Sequence, residues 1–137
     1  MMSENLERMR IGYEAFQRRD VEAILVLLDP SVVIEEAGPD AETRHGHAGM
    51  RAFLENFLEP WDYFRIEGLE FTELGEELVA AVSWRAGGHH SGLEIETTIY
   101  MVWTMRAGKG ARLRIFFDRD EALRAAGLRE GDPSLPG

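Results

Sequence analysis

From residue 64 onward apolar side chains recur at every second position, and the parity of that alternation flips once. Phe64 and Ile66 alternate with polar residues, then Leu69 and Phe71 alternate on the opposite parity. A period of two marks a strand with one buried face. A flip inside one strand would send half of the apolar set to solvent unless an extra residue resets the pleat. The switch falls at Gly68, which predicts a β-bulge or bend there. Gly75-Glu76 reads as a turn, 78–86 as the next strand and 87–92 as a hairpin connection. The longest strand spans 93–106, Ala107-Gly108-Lys109-Gly110 is another turn, and 112–117 is the last strand. A terminal helix is expected over about 118–126, with Gly127 just past its end.

The first half of the chain has a different period. Leu6, Met9, Tyr13 and Phe16 are spaced by threes and fours, a helical stripe that Ser3 can cap. Arg18 and Arg19 are placed in its last turn, where cations suit the helix dipole. Asp20 can cap a short second helix carrying Val21, Ile24, Leu25 and Leu28, ended by Asp29-Pro30. Residues 32–36 read as a strand and 38–46 as a polar loop. Met50, Phe53, Leu54, Phe57 and Leu58 form the stripe of a third helix that ends near Pro60-Trp61. Helices grouped before a meander of hairpins predict an α+β fold: a cone-shaped, strongly bent antiparallel sheet with helices packed on its concave face, enclosing a cavity.

Asp and Glu number 25 against 15 Lys and Arg, a formal net charge of −10. That balance repels phosphate backbones and anionic membrane surfaces, so neither nucleic acid nor membrane is expected as a partner. Lys109 is the only lysine, an arginine bias that suits a GC-rich, bacterial genome. There is no Cys, which rules out a disulfide framework, a thiol nucleophile or a Cys-based metal site and is compatible with a reducing cytoplasm. The charged start MMSENLERMR is not followed by an apolar run, so neither a secretory leader nor a span of roughly 20 apolar residues is expected.

Three local stretches carry a resemblance. Arg19-Asp20-Val21-Glu22-Ala23-Ile24 followed by Leu28-Asp29-Pro30-Ser31-Val32, then Arg44-His45-Gly46-His47-Ala48-Gly49-Met50, then the run from Phe117 and Asp118 to Gly127-Leu128 resemble the nuclear-transport-factor-2-like superfamily, in its SnoaL-like branch. The resemblance covers nearly the whole chain and implies a cystatin-like cone, with one domain over 1–128 and a tail over 129–137. It implies little about activity, because this fold hosts isomerases, cyclases, dehydratases and non-catalytic binders.

Three residues are candidates for chemistry. Glu36 shares parity with Val32 and Ile34; if those face the core it projects inward at the pocket rim, where apolar walls favour the neutral acid and make a useful base. It looks like the general-base position of ketosteroid-isomerase-like members, and the other reading is a solvated Glu beside Glu35. Asp118 looks like the acid/base Asp of polyketide cyclases, and the other reading is a helix cap. The cyclase His partner falls on Thr104 here, so that pair is incomplete. Tyr100 falls where isomerases place an oxyanion donor, yet the isomerase Tyr falls on Gly12, and Tyr100 opposes the parity of Ile99, Met101 and Trp103.

His45, His47, His89 and His90 lie in Gly-containing loops without ligand spacing, so no metal and no cofactor is expected. Tyr13, Phe53, Phe57, Trp61 and Trp84 are the choice for the cavity mouth, implying a small hydrophobic ligand. A binding module and a cofactor-independent isomerase or cyclase both fit. Apolar residues on both parities of 93–106 lead to the expectation of a homodimer through the convex face.

Overall fold

Six strands form one curled, unclosed sheet in the order β2-β1-β6-β5-β4-β3. A computed structural model of the chain describes residues 3–36, 41–88 and 92–127. The elements run α1 (Glu4–Gln17), α2 (Val21–Leu25), β1 (Leu28–Glu35), β2 (Thr43–His45), α3 (Gly46–Leu58), β3 (Trp61–Leu74), β4 (Glu77–Gly88), β5 (Glu94–Arg106), β6 (Lys109–Phe116) and α4 (Arg119–Ala125). Among the described residues, no helix is long and apolar enough to cross a membrane.

The meander from β3 to β6 is antiparallel throughout. The β3–β4 register slips between Ile66 and Gly68, so the expected bulge is there. The slip lets Phe64, Ile66, Leu69 and Phe71 all reach the same core despite their opposite parities. Two features depart from the expected sheet. β1 runs parallel to β6, although it is antiparallel to β2. β2 itself, three residues paired with Val33–Glu35, lies inside what reads as a polar loop.

Local chemistry sets the helix ends. Ser3 accepts a hydrogen bond from the Leu6 amide at 3.0 Å and caps α1. That helix closes earlier than its sequence suggests: Arg18 is the C-cap and Arg19 takes a left-handed φ of 61°, donating its guanidinium to the Trp61 carbonyl at 3.0 Å. Asp20 caps α2 by accepting from the Ala23 amide at 3.2 Å. Leu28 belongs to β1, not to α2, and Pro30 sits where the β1–β6 register is irregular, a place that does not need its missing N–H.

The two faces of the sheet are covered differently. α1, α2 and α3 pack on the inner face over Leu78, Ala80, Val82, Ile99, Met101, Trp103 and Leu113. α4 packs on the outer face, where Ala122, Leu123 and Ala126 cover Val79 and Val102, with Tyr100 and Phe116 alongside. Three helices thus sit on the concave face, where the pattern puts them, and the short terminal helix packs on the other face. The second apolar parity of β5, which suggests a partner chain when read from the sequence, is met in large part by the chain's own α4.

Candidate functional site

The inner face holds two connected apolar regions. At its deep end α1 contributes Met9, Gly12, Tyr13 and Phe16, α3 contributes Met50 and Leu54, and β5 contributes Met101 and Trp103 to a cavity of about 30 Å³. The buried Tyr13 hydroxyl accepts from Trp103 Nε1 at 2.9 Å and donates to Met101 Sδ at 3.2 Å. Burial pushes the phenol well above its ordinary pKa, opposed by the Trp103 bond, so the group stays neutral. With that hydroxyl already engaged, the cavity offers a water no free partner and suits only an apolar guest.

Toward the mouth the rings of Phe16, Phe53, Phe57, Trp61, Phe64 and Trp84 form an aromatic wall. Phe57, on α3, is its hub, with ring centroids 5.7 Å from Phe16, 5.6 Å from Phe64 and 5.3 Å from Trp84, mostly edge-on. Trp61 tilts against Trp84 at 6.0 Å. Offset and edge-on rings are the favourable arrangement, and each such pair contributes about 0.5–1.5 kcal/mol beyond burial. Among the described residues, β6 stops at Phe116, opposite Tyr100, so β5 from Glu94 to Ile99 is paired on one side only and the β5 side of this mouth is uncovered. Ile95 and Thr97, on the inner parity, stay exposed there, as does Leu93 just before the strand.

The candidate aromatics therefore divide. Phe53, Phe57, Trp61 and Trp84 come together at the mouth, whereas Tyr13 belongs to the deep cavity. Met101 and Trp103, absent from that set, line the cavity too; their shared parity with Ile99 was the available signal, and it reads equally well as plain core.

The candidate acid/base residues are not brought together. Glu36 follows β1, but its carboxylate is held by Arg44 Nε at 2.8 Å, and Arg44 also pairs with Glu42 at 3.2 Å. It is therefore an ion-pair member at the rim and not a carboxylate against apolar walls. Asp118 is exposed and caps α4, accepting from the Glu121 amide at 3.0 Å, on the side of the sheet away from the cavity. Tyr100 packs with the α4 cluster on that outer face. His47 Nε2 lies 3.0 Å from the Leu28 carbonyl and His45 is exposed, while His89 and His90 fall outside the described residues. Among the described residues no cluster of His, Asp and Glu could hold a metal ion.

Residues 10–113 match the SnoaL-like domain family. Among solved structures, an NTF2-like protein of unknown function from Burkholderia pseudomallei superposes with a TM-score of 0.75 at 30% identity, over 90% of this chain and 97% of that one. TerC, co-crystallized with polyporic acid, superposes with a TM-score of 0.74 at 27% identity, over 91% and 99%. An NTF2-like protein from Burkholderia xenovorans gives 0.70 at 22% identity, over 92% and 99%. No curated protein matches the chain. With a family match across β1 to β6 and near full-length superposition on NTF2-like structures, the chain belongs to the SnoaL-like domain family and has the NTF2-like fold.

Proposed function

We propose that the inner face is a receptor for a small, flat, apolar molecule, and that it binds without acid/base chemistry from Glu36, Asp118 or Tyr100. The observation that carries this reading is the aromatic wall of Phe57, Trp61 and Trp84 beside a sheet edge left open at Ile95 and Thr97. The cavity behind it is about 30 Å³, too small for such a guest as it stands. Met9, Met50 and Met101 line it, and unbranched thioether chains repack more readily than branched ones. The similarity to TerC, a protein crystallised with an organic molecule, is consistent with a guest of this kind. Titration of the protein with fluorene, followed by quenching of its tryptophan fluorescence, is expected to saturate at one molecule per chain with a micromolar Kd. Phe57→Ala, which removes the hub of the wall, is expected to weaken binding about tenfold or more. No saturable quenching up to the solubility limit of fluorene would refute the reading.

A homodimer through the outer face is part of the same proposal. α4 covers Val102, so the case for a partner now rests on Phe117, 67% exposed at the end of β6, and on the half-covered Tyr100 and Phe116 nearby. A stable pair would bury on the order of 800 Å² per partner. Sedimentation at micromolar concentration is expected to give twice the chain mass, shifted toward the monomer by Phe117→Asp. A monomer for the parent would remove this part of the proposal.

A further inference from the structure

The Trp84 indole is 6% exposed, and its Nε1 is buried with no hydrogen-bond partner among the described residues. The contrast with Trp103 is direct, since that indole is equally buried and donates to Tyr13. Buried donors in folded proteins are almost always partnered, and an orphan among hydrocarbon rings is a cost that Phe at the same place would avoid. The orphan also sits beside a part of the inner face that is uncovered among the described residues. Trp84 lies directly across from Thr97 on β5, next to Ile95, where β6 provides no cover. Its neighbour on the rim is Trp61, only partly buried and at the start of β3, where Phe57 on α3 completes the shield.

We infer that the Trp84 N–H is the donor that orients the guest: a neutral, planar, apolar molecule bearing a carbonyl oxygen, whose oxygen takes the hydrogen bond that the free protein leaves unmade. This rests on the receptor reading above and specifies the guest's chemistry. Displacement of the partly buried Trp61 ring by the guest gives the oxygen access to Nε1. A carboxylate guest is disfavoured, because Arg85, next along β4 on the outer parity, is already shared among Glu67, Glu94 and Glu96, the Arg19 guanidinium is engaged by the Trp61 carbonyl, and the chain carries a formal charge of −10.

The test uses two probes of nearly equal shape, 9-fluorenone and fluorene, which differ in the carbonyl oxygen. The ratio of their Kd values in the parent, divided by the same ratio in Trp84→Phe, isolates the donor from general hydrophobicity. The expected preference for fluorenone attributable to Trp84 is about tenfold, the upper range for one neutral hydrogen bond. In parallel, nitrogen-15 spectra of the parent should show three indole N–H resonances, for Trp61, Trp84 and Trp103. The Trp84 resonance should move downfield with fluorenone and not with fluorene, a readout that does not require the variant to fold. If the two probes bind equally well in the parent and the Trp84 resonance responds alike to both, the inference is wrong and the receptor reading stands. If neither probe binds, the receptor reading fails and takes this inference with it.

Discussion

Trp103→Ala is expected to lower the stability of the fold by about 3–5 kcal/mol, the range for removing a buried aromatic side chain. Trp103 is fully enclosed, and its removal costs more than area. Its ring lies against the backbone at Gly110, where even a Cβ would come within 3.0 Å of it. Its Nε1 supplies one of the two bonds of the buried Tyr13 hydroxyl, which the variant leaves without a donor. The same substitution enlarges the cavity of about 30 Å³ by most of an indole. An apolar void of that size stays dry and accepts hydrocarbon guests, so benzene is expected to raise the variant's thermal midpoint by more than the parent's. Chemical denaturation measures the first effect and calorimetry with benzene the second. A loss under about 1 kcal/mol would mean that the inner core repacks freely around this position.

The second large effect is expected at Arg114, which ties α4 to the sheet. Its Nη2 donates to Glu77 at 2.7 Å and its Nη1 to the Ala125 carbonyl, at the last turn of α4, at 3.1 Å. The side chains are 15% and 24% exposed, and one atom of each, Arg114 Nε and Glu77 Oε2, is buried without a partner. Such a pair is worth little as a pair but is costly to halve, because the remaining charge stays partly desolvated. Arg114→Met is expected to cost about 2–3 kcal/mol, somewhat below the roughly 3–5 kcal/mol of a fully buried pair. Adding Glu77→Met should recover at least half of that loss. Hydrogen exchange of the α4 amides provides the local readout. If the double variant is no more stable than the single one, the anchoring is steric and the charges are incidental.

The parts of the fold that were legible were those with a repeating signal long enough to be read. Alternation over twelve or more residues is hard to produce by chance, so β3, β4 and β5 stood out, and the parity flip gave the bulge at Gly68. β2 was illegible because three residues cannot display a period. Leu28 was assigned to the wrong element because it continues the i, i+3, i+4 spacing of Ile24 and Leu25; only Val26 and Leu27 turning the chain moves it into β1. The two-sided character of β5 was visible, but not what covers its second side: a helix of seven residues carries too few apolar positions to announce a face. The candidate site divides in the same way. Aromatic residues at core spacing were legible as a group, and four of the five meet at the mouth. A carboxylate at a strand end reads the same whether it caps a helix, pairs with an arginine or takes a proton, so Asp118 and Glu36 could not be assigned without their partners. An unmade hydrogen bond such as that of Trp84 leaves no trace in a sequence at all.

Because β5 presents Met101 and Trp103 to the cavity and Tyr100 and Val102 to α4, it works as a partition with a different tenant on each side. That arrangement restricts how the gene can change in length. Loss or gain of a single codon just before Tyr100 reverses the parity of the strand beyond it, putting Tyr100 among the methionines and Trp103 under α4, and neither compartment has the shape to receive them. Two codons preserve the faces but shift the register against Gly110 and Phe116. Point substitution on either side can be absorbed separately, since the two sets of neighbours do not touch. Among descendants of this chain, the lining of the inner cavity and the seat of α4 can therefore diverge independently, while the length of the strand between them stays fixed.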